Sequence, residues 1–361
     1  NEPPGARARV VLTGLAQAMK RANAGVLEVN SDFGEGDFAR LRAAAEIAGR
    51  PLSVLLVQVD KAPDLWRETL DQVGAACADG MAVTAQVGSR AIGVLMGLEA
   101  TMHPFTSHPL WLAMAGLSPR ERFNRLRDDA ELRRRLVTER PDDDTVRMME
   151  TALRRTFELD GAVDYEPAPE QSIAARARAQ GRDPFDLALE LMMRDDGQAL
   201  LLHPFENYCG GDLEVVKEML QDPNTVCGVA DAGAHVGLIC DASSPTSLLT
   251  HWGRDRKRGE KLSLEFLVRK QTRDTARTYG LMDRGVIARG YKADLNLIDF
   301  QALRLLRPKL VYDLPAGGKR IIQKAEGYRH TFVSGVEVMR DGEATGELPG
   351  QLLRGAQSAP G

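Results

Sequence analysis

Short apolar segments alternate with helix-like segments along much of this chain, and this alternation constrains the fold more than any other feature. Five runs are apolar, rich in strand-forming residues and followed by polar or small residues: 25–29, 52–57, 82–87, 199–202 and 225–230. Stretches with a helical pattern separate most of them: 37–48, 63–78, 211–220 and 264–279. Because parallel strands need a crossover between them, usually a helix, the pattern predicts an α/β fold with a parallel sheet. Five such units are more than half of an eight-stranded (β/α) barrel.

A charged, Arg-rich segment interrupts this alternation between about residues 97 and 196. Its pattern is helical, and its basic residues alternate with acids, which is typical of solvated helix faces. A long insertion at the carboxyl edge of a barrel often forms a lid over the site, and an oligomerisation arm is the alternative. A homo-oligomer is therefore one possible assembly. From about Asp283 onward, short strands and Gly-rich turns replace the helices. We predict a partial barrel over residues 1–282 and a small β-domain segment over residues 283–361.

Composition excludes several classes of function. The chain has 361 residues, a formal net charge of −4 and 43% hydrophobic residues, which is an ordinary globular profile. No basic face suits a nucleic acid, and no apolar run is long enough to span a membrane, so neither partner is expected. The four cysteines are scattered without a C-x-x-C pair. Such spacing favours reduced thiols and a cytoplasmic location.

The segment from Gly228 to His235 carries the clearest candidate for chemistry. An apolar run ends on Asp231, small residues follow, and His235 comes four residues after the carboxylate. A (β/α) barrel presents metal ligands and general bases in this way, at the carboxyl ends of its strands. An aspartate that caps a turn is the structural alternative.

The region after residue 272 carries a long, ordered signature. The sequence reads Gly280-Leu281-Met282-Asp283-Arg284-Gly285-Val286-Ile287-Ala288-Arg289-Gly290-Tyr291-Lys292-Ala293-Asp294. This resembles the C-terminal signature of the amidohydrolase superfamily, in which "GL-x-D-R-G-x-I-x-x-G-x-x-A-D" leads from the barrel into a small β-domain. With Ala-Asp-Ala-Gly-Ala-His at 230–235, the chain is similar to the N-acyl-D-amino-acid deacylase (D-aminoacylase) branch, from about residue 26 onward apart from a divergent middle.

The resemblance implies a TIM-barrel (β/α)8 amidohydrolase with part of a β-sandwich, and a zinc-dependent hydrolase that cleaves the C–N amide bond of a small-molecule substrate. Asp231 is then expected to serve as metal ligand and general base, and His235 to orient it or polarise the carbonyl. The candidates for substrate binding follow or flank other strands: His203, Asn207, Gln86 and Arg90. The alternatives are a non-hydrolytic enzyme on the same scaffold and a metal-free binding or scaffold homologue.

The chain also departs from the family pattern. It has no His-x-His pair, and its first strand is similar to the fourth or fifth of the barrel, so we expect a C-terminal portion that packs against an N-terminal segment of the same protein. Two strands that end on histidine in the family are followed here by Asn30-Ser31-Asp32 and Gln58-Val59-Asp60. Asp32 and Asp60 are either helix caps or oxygen ligands. We therefore expect one zinc site, with its other ligands in the N-terminal segment. No arginine follows the Asp motif closely to bind a substrate carboxylate, and Arg90 is the candidate to replace it.

Overall fold

The computed structural model describes residues 6–30, 34, 36–159, 161, 163–230 and 233–361. The helices in this part of the chain are α1 Ala6–Ala22, α2 Asp37–Ala48, α3 Leu65–Ala78, α4 Pro109–Leu112, α5 Pro119–Asp128, α6 Ala130–Thr138, α7 Asp144–Ala152, α8 Ile173–Ala179, α9 Pro184–Met192, α10 Arg194–Gly197, α11 Glu214–Gln221, α12 Ser244–Ser247, α13 Leu264–Arg269 and α14 Thr275–Thr278. Tighter 3₁₀ turns occupy Leu153–Arg155, Pro169–Gln171 and Pro315–Gly317, and wider π-type turns occupy Leu248–Asp255 and Lys270–Asp274.

The strands are β1 Leu27–Val29, β2 Leu52–Leu56, β3 Val83–Gly88, β4 Ile92–Met96, β5 Phe157–Glu158, β6 Leu201–Glu206, β7 Thr225–Gly228, β8 Leu295–Ile298, β9 Arg304–Leu305, β10 Lys309–Leu314, β11 Gly318–Ile322, β12 Ala325–Glu326, β13 Tyr328–Val333, β14 Val336–Arg340 and β15 Glu343–Ala344. None of the described helices is long and apolar enough to cross a bilayer.

A four-stranded parallel sheet forms the centre of the fold, in the order β1-β2-β3-β7. One face is apolar: the side chains of Leu52, Val54 and Val87 are buried and belong to one core with residues of α2, α3 and α11. The parallel α/β architecture predicted from the sequence is confirmed, and the sheet is consistent with part of a barrel. Within the described residues, β1 and β7 are the edges of this sheet.

The run 199–202 is not part of this sheet, and here the prediction of a fifth parallel strand is wrong. It leads into β6, which pairs antiparallel with β4 and with β5 in a separate three-stranded sheet. After β3 the chain continues at once into β4 without a crossover helix. A short apolar run predicts a buried strand but contains no information about the direction of its partner.

Helices α4–α10 lie between β4 and β6 and enclose a core of their own. Its buried members include Leu126, Leu136, Met149 and Phe185. Local signals explain these helices: the Ser118 hydroxyl accepts from the Glu121 N–H, and the Glu121 carboxylate accepts from Ser118 in return, a capping box with Pro119 in the first turn. The helical character predicted for 97–196 is present, whereas its role as a lid or arm stays a prediction, as do the domain limits.

Antiparallel sheets dominate the chain after α14. The largest has the order β15-β14-β13-β8, and a hairpin pairs β10 with β11. This β10–β11 hairpin contacts the loop that follows β7, since the Ile321 N–H donates to the Val236 carbonyl at 2.7 Å. It also contacts the start of the helical segment, where the Tyr312 hydroxyl donates to the Glu99 carboxylate at 2.8 Å.

Candidate active site

Asn207, one of the predicted site residues, lies at the carboxyl edge of the parallel sheet. Gly88 at the end of β3 lies opposite Gly228 at the end of β7. Asn207, just after β6, is completely buried. A Cβ on Gly88 would lie 3.6 Å from Asn207 Nδ2 and 3.7 Å from Val229 Cβ. Asn207 and the exit from β7 therefore both lie beside the end of β3.

Asn207 also fixes the exit from β2. Its side-chain oxygen accepts from the Gln58 N–H at 2.8 Å, and its own N–H donates to the Gln58 carbonyl at 2.9 Å. The Gln58 side chain is engaged too, since it donates to the Pro63 carbonyl at 3.3 Å and accepts from the Cys209 N–H at 3.2 Å. Gln58 is thus held through its backbone and through both ends of its amide.

A polar cluster lies beside this junction. Arg155 donates to both carboxylate oxygens of Asp60, one of them at 2.7 Å, and the Cys209 thiol donates to the same carboxylate at 3.0 Å. The hydrogen bonds from Arg155 lower the pKa of Asp60. Burial, followed by the bond to Asp60, raises the pKa of Cys209 to about 12. The thiol is therefore protonated at neutral pH and is not a nucleophile in this arrangement.

His203 lies near this cluster but not where the sequence placed it. It sits within the antiparallel strand β6, opposite Val94, rather than at the carboxyl end of a parallel strand. Its Nδ1 is 3.2 Å from the Thr156 hydroxyl, which itself donates to the Ala152 carbonyl at 2.8 Å. Since a hydroxyl has one proton, Nδ1 of His203 must be the donor. Burial, reinforced by Arg155, lowers the pKa of His203 to about 4, so the ring is neutral at pH 7 with its lone pair on Nε2.

Arg90 is enclosed rather than presented to a substrate. Its guanidinium pairs with Asp241 at 3.0 Å, donates to the Cys240 carbonyl at 2.8 Å and lies 3.7 Å from the centre of the Tyr165 ring. The side chain is 3% exposed. Its Nε and Nη1 are buried without a hydrogen-bond partner among the described residues. The structure therefore gives Arg90 a packing and ion-pairing role. The sequence around Arg90 did not indicate this role.

Gln86 contacts another set of residues, on the face of the sheet opposite to that of Val87. Its amide donates to the Ser53 hydroxyl at 2.8 Å and to the Tyr279 hydroxyl at 3.2 Å, and Tyr279 donates to Glu28 at 3.3 Å. This polar row does not include the Asn207–Gln58 junction. A Cβ on Gly228 would lie 2.5 Å from the Gln86 Oε1, so the end of β7 is packed directly against this amide.

The loop after β7 has a strained backbone. Val229 and His235 both have a left-handed conformation, with φ of 58° and 47°. This conformation is an outlier for a β-branched residue, and such strain clusters at functional sites. The His235 side chain is exposed, while its carbonyl accepts from the N–H groups of Leu238 and Ile239 at 2.8 and 2.9 Å. Asp231, the predicted catalytic base and metal ligand, lies outside the described residues.

The described residues do not by themselves fit a metal ion. No three His, Cys, Asp or Glu side chains in this part of the chain group closely enough to hold one. The ends of β1 and β2 are followed by the amides Asn30 and Gln58, and the Gln58 side chain is hydrogen-bonded to the Pro63 carbonyl and the Cys209 N–H. Asp60 is occupied by Arg155 and Cys209, so the structure assigns it neither the helix cap nor the metal role considered from the sequence. Asp32 lies outside the described residues.

Comparison with known proteins places the chain in a family. Residues 8–339 match the Amidohydrolase family. A stretch of 100 residues is 40% identical to N-acyl-D-aspartate deacylase of Alcaligenes xylosoxydans xylosoxydans, covering 27% of this chain and 18% of that protein. Two solved structures of D-aminoacylase, one studied for its binuclear metal centre and one said to define a novel subset of amidohydrolases, match with a TM-score of 0.49 each.

The identities with these two structures are 19% and 18%, and each alignment covers 96% of this chain. The chain spans 59% of the length of each solved D-aminoacylase. It is therefore similar to only part of these proteins. The family match, in contrast, extends over most of the chain, from residue 8 to residue 339. On that basis, this chain belongs to the amidohydrolase family.

Proposed function

We propose that the protein to which this chain belongs hydrolyses the C–N amide bond of an N-acyl amino acid. Membership of the amidohydrolase family over residues 8–339 is the observation that carries the proposal. The 40% identical stretch shared with N-acyl-D-aspartate deacylase supports an N-acyl-D-amino acid as the substrate. The activity is proposed for the whole protein, since the chain spans only part of its relatives.

Asp231 is the residue to which we assign the proton transfer. Amide hydrolysis requires a base that takes a proton from water and returns it to the leaving amine. Asp231 follows β7 by three residues in the sequence, and (β/α) barrels carry their reacting groups after the carboxyl ends of their strands. Val229 and His235, which precede and follow Asp231 in the sequence, have left-handed backbones. Because backbone strain of this kind clusters at functional sites, it supports a catalytic role for this loop. We assign to His235, which is exposed, the orientation of this carboxylate or the polarisation of the substrate carbonyl.

His203 and Asn207 are assigned to the substrate side of this edge. The neutral His203 ring has an acceptor at Nε2, and Asn207 Nδ2 is buried without a partner among the described residues. An amide substrate offers a carbonyl acceptor and an N–H donor, which complement these two groups. Gln86 and Arg90 already bind protein groups, so we propose for them the support of the site rather than substrate contact.

We further propose one zinc ion per protein, with Asp231 among its ligands and the others outside the described residues. The residues at positions 30 and 58, where the family has metal-binding histidines, favour a second candidate function as well. Because amides, rather than histidines, stand at 30 and 58, and because the Gln58 amide is hydrogen-bonded to Pro63 and Cys209, a metal-free homologue that binds N-acyl compounds without cleaving them is consistent with the same edge.

The test is an assay of amine release by the purified full-length protein. N-acetyl-D-aspartate, N-acetyl-D-glutamate, a neutral N-acetyl-D-amino acid and their L-counterparts are the substrates, with and without added zinc. We expect the D-series to be cleaved and Asp231→Asn to lose about 10²-fold or more of turnover, as expected for loss of a general base. Asp142→Asn, at an exposed carboxylate of the helical segment, is the matched control.

Turnover of Asp231→Asn at the wild-type rate, with unchanged metal content, contradicts the assignment of the base. Calorimetric binding of N-acetyl-D-amino acids without any cleavage supports the metal-free candidate instead.

A further inference from the structure

A cavity of about 370 Å³ lies between residues 98–122 and the β10–β11 hairpin. The side chains that matter for its chemistry are Glu99, His103, Trp111, Arg122, Tyr312 and Lys319. Its volume is in the range of small-molecule pockets. None of the residues assigned to the amide-hydrolysing site lines it.

Two cations line this cavity without a carboxylate partner. The Lys319 ammonium donates to the Glu99 backbone carbonyl at 2.7 Å, and Arg122 Nε donates to the Leu117 carbonyl at 3.2 Å. The Glu99 carboxylate instead accepts from the Tyr312 hydroxyl at 2.8 Å. Among the described residues, neither Arg122 nor Lys319 forms an ion pair within 4.0 Å, so both charges retain hydrogen-bonding capacity for an anion.

The pKa shifts around the cavity agree with an excess of positive charge. Burial lowers the pKa of Lys319, Arg122 lowers it further, and the opposing effect of Glu99 is smaller than that of Arg122. Burial also lowers the pKa of His103 to about 3, and Arg122 and Lys319 both add to that effect. His103 is therefore neutral. Arg122 and Lys319 thus both act on the cavity, and the Glu99 carboxylate, already hydrogen-bonded to Tyr312, only partly balances their charge.

Apart from Thr101 and Thr106, the rest of the lining is apolar and aromatic. Trp111 is 7% exposed, packs edge-on against the His103 ring at 4.3 Å between centroids, and lies 5.6 Å from the Arg122 guanidinium. Leu98, Ala100 and Pro119 complete this side of the cavity. A ligand that fits this lining has a carboxylate for the two cations and a short carbon chain that packs against Trp111.

We propose that this cavity is a binding site for a small organic carboxylate, held by Arg122 and Lys319 and packed against Trp111. Arg122 matches a carboxylate through paired N–H groups, and Lys319 adds a second charge-assisted hydrogen bond. The ligand is either the acidic substrate or product of the proposed reaction, or a separate carboxylate metabolite. The shared chemistry is the carboxylate on a short carbon chain.

The site has a direct connection to the loop that carries the proposed base. The N–H of Thr101, a lining residue, donates to the Gly237 carbonyl at 3.0 Å. A Cβ on Gly237 would lie 3.8 Å from Lys319 Cε. Residue 237 follows Asp231 by six positions, so the cavity adjoins the same loop as the proposed base.

Calorimetric titration of the full-length protein tests the proposal without requiring turnover. Succinate, N-acetyl-D-aspartate and inorganic phosphate are the probes, and Lys319→Met, Arg122→Gln and Lys319→Arg are the variants. We expect succinate to bind, with affinity lower by about ten- to a hundredfold in the first two variants, as for loss of a hydrogen bond to a charged group. Lys319→Arg should retain most of the affinity. Lys309→Met, on the same hairpin but exposed and outside the cavity, should bind as wild type does.

Tryptophan fluorescence provides a second readout in the same titration. Succinate should change the emission of the wild type but not of Trp111→Phe. Absence of succinate binding, equal binding by a folded Lys319→Met variant, or a preference for phosphate overturns the proposal. Cleavage assays of Lys319→Met then separate the two sources: a raised KM for N-acetyl-D-aspartate identifies the substrate carboxylate, and an unchanged KM identifies a separate metabolite.

Discussion

Asn207 and Gln58 are joined by two hydrogen bonds although 149 residues separate them in sequence: the Asn207 side-chain oxygen accepts from the Gln58 N–H at 2.8 Å, and the Asn207 backbone N–H donates to the Gln58 carbonyl at 2.9 Å. The pair joins the exit of β6 to the exit of β2. It thereby ties the three-stranded sheet to the carboxyl edge of the parallel sheet. Asn207 adopts a left-handed backbone with φ of 61°, which asparagine tolerates better than most residues.

Asn207→Ala should therefore lower the free energy of unfolding by about 1–3 kcal/mol, because it leaves the buried Gln58 N–H without an acceptor. Urea unfolding of the full-length protein measures the loss. Asn207→Gly separates the loss of the hydrogen bond from strain in the left-handed backbone, since glycine adopts this backbone without strain but cannot supply the hydrogen bond. Equal stability of Asn207→Ala and the wild type is the result that this explanation does not permit.

Gly228→Ala should be destabilising, because the new Cβ would lie 2.5 Å from Gln86 Oε1 and 2.8 Å from Gln86 Cβ. Displacement of Gln86 breaks its bonds to Ser53 and Tyr279. We expect a loss of about 1–3 kcal/mol from overpacking, seen as a lower urea midpoint. Gly74→Ala, within α3 and 3.8 Å from its nearest neighbour, is the matched control and should stabilise by about 0.5–1 kcal/mol. The same sign for both substitutions contradicts the prediction.

Glu166 predicts a pH dependence of stability. Its carboxylate is 2% exposed, pairs with Arg256 at 2.9 Å and His251 at 3.1 Å, and accepts from the Leu213 N–H at 2.8 Å. Although burial acts in the opposite direction, these bonds hold its pKa at about 2, below the ordinary 4.5. Because the folded-state value is the lower one, the stabilisation is present above the ordinary pKa and is lost as pH falls from about 5 towards 2.

Glu166→Gln should thus cost about 3–5 kcal/mol at pH 7, as for removal of one partner of a buried pair. The difference from the wild type should shrink as the pH approaches 3. Urea midpoints at pH 7, 5, 4 and 3 provide the comparison. Glu260→Gln, at a largely exposed carboxylate paired with Lys217, should change little at any of these values. A difference that stays constant with pH would assign the cost to packing rather than to the ion pair.

At most one tightly bound metal ion is expected per full-length protein. Amides at 30 and 58 are weak ligands for zinc compared with imidazole, and Gln58 is committed to protein hydrogen bonds. Elemental analysis after extensive dialysis measures the stoichiometry. Gln58→Ala should leave the metal content unchanged, whereas Asp231→Ala should reduce it. Two zinc equivalents in the wild type would show the prediction to be wrong.

Local sequence pattern was sufficient for the parallel sheet, its packed helices and the helical character of residues 97–196. Local pattern failed where the structure of a strand depends on the strand with which it pairs. The run 199–202 has the composition of a buried strand, but its antiparallel pairing depends on β4, which follows β3 directly. Strand propensity describes one strand, whereas orientation is a property of a pair.

Local sequence was also insufficient to predict the contacts of side chains in the candidate site. Asp60 resembled a helix cap, but α3 begins at Leu65 and Arg155, 95 residues away, binds the carboxylate instead. Arg90 follows a strand end in the manner of a substrate ligand, yet Asp241, 151 residues away, pairs with it inside the protein. No pattern in the neighbouring sequence indicates either contact, because both arise only when distant segments pack.

The pairing of Met96 with Leu201 means that the helical segment starts and finishes at adjacent positions of two neighbouring strands. The segment has a core of its own, but its Glu166 pairs with Arg256 and its Arg155 pairs with Asp60, both outside it. Insertions can therefore accumulate in the exposed turn between α6 and α7 without a change in the register of β4 and β6, whereas the stretch that carries Arg155 and Glu166 is held by its partners.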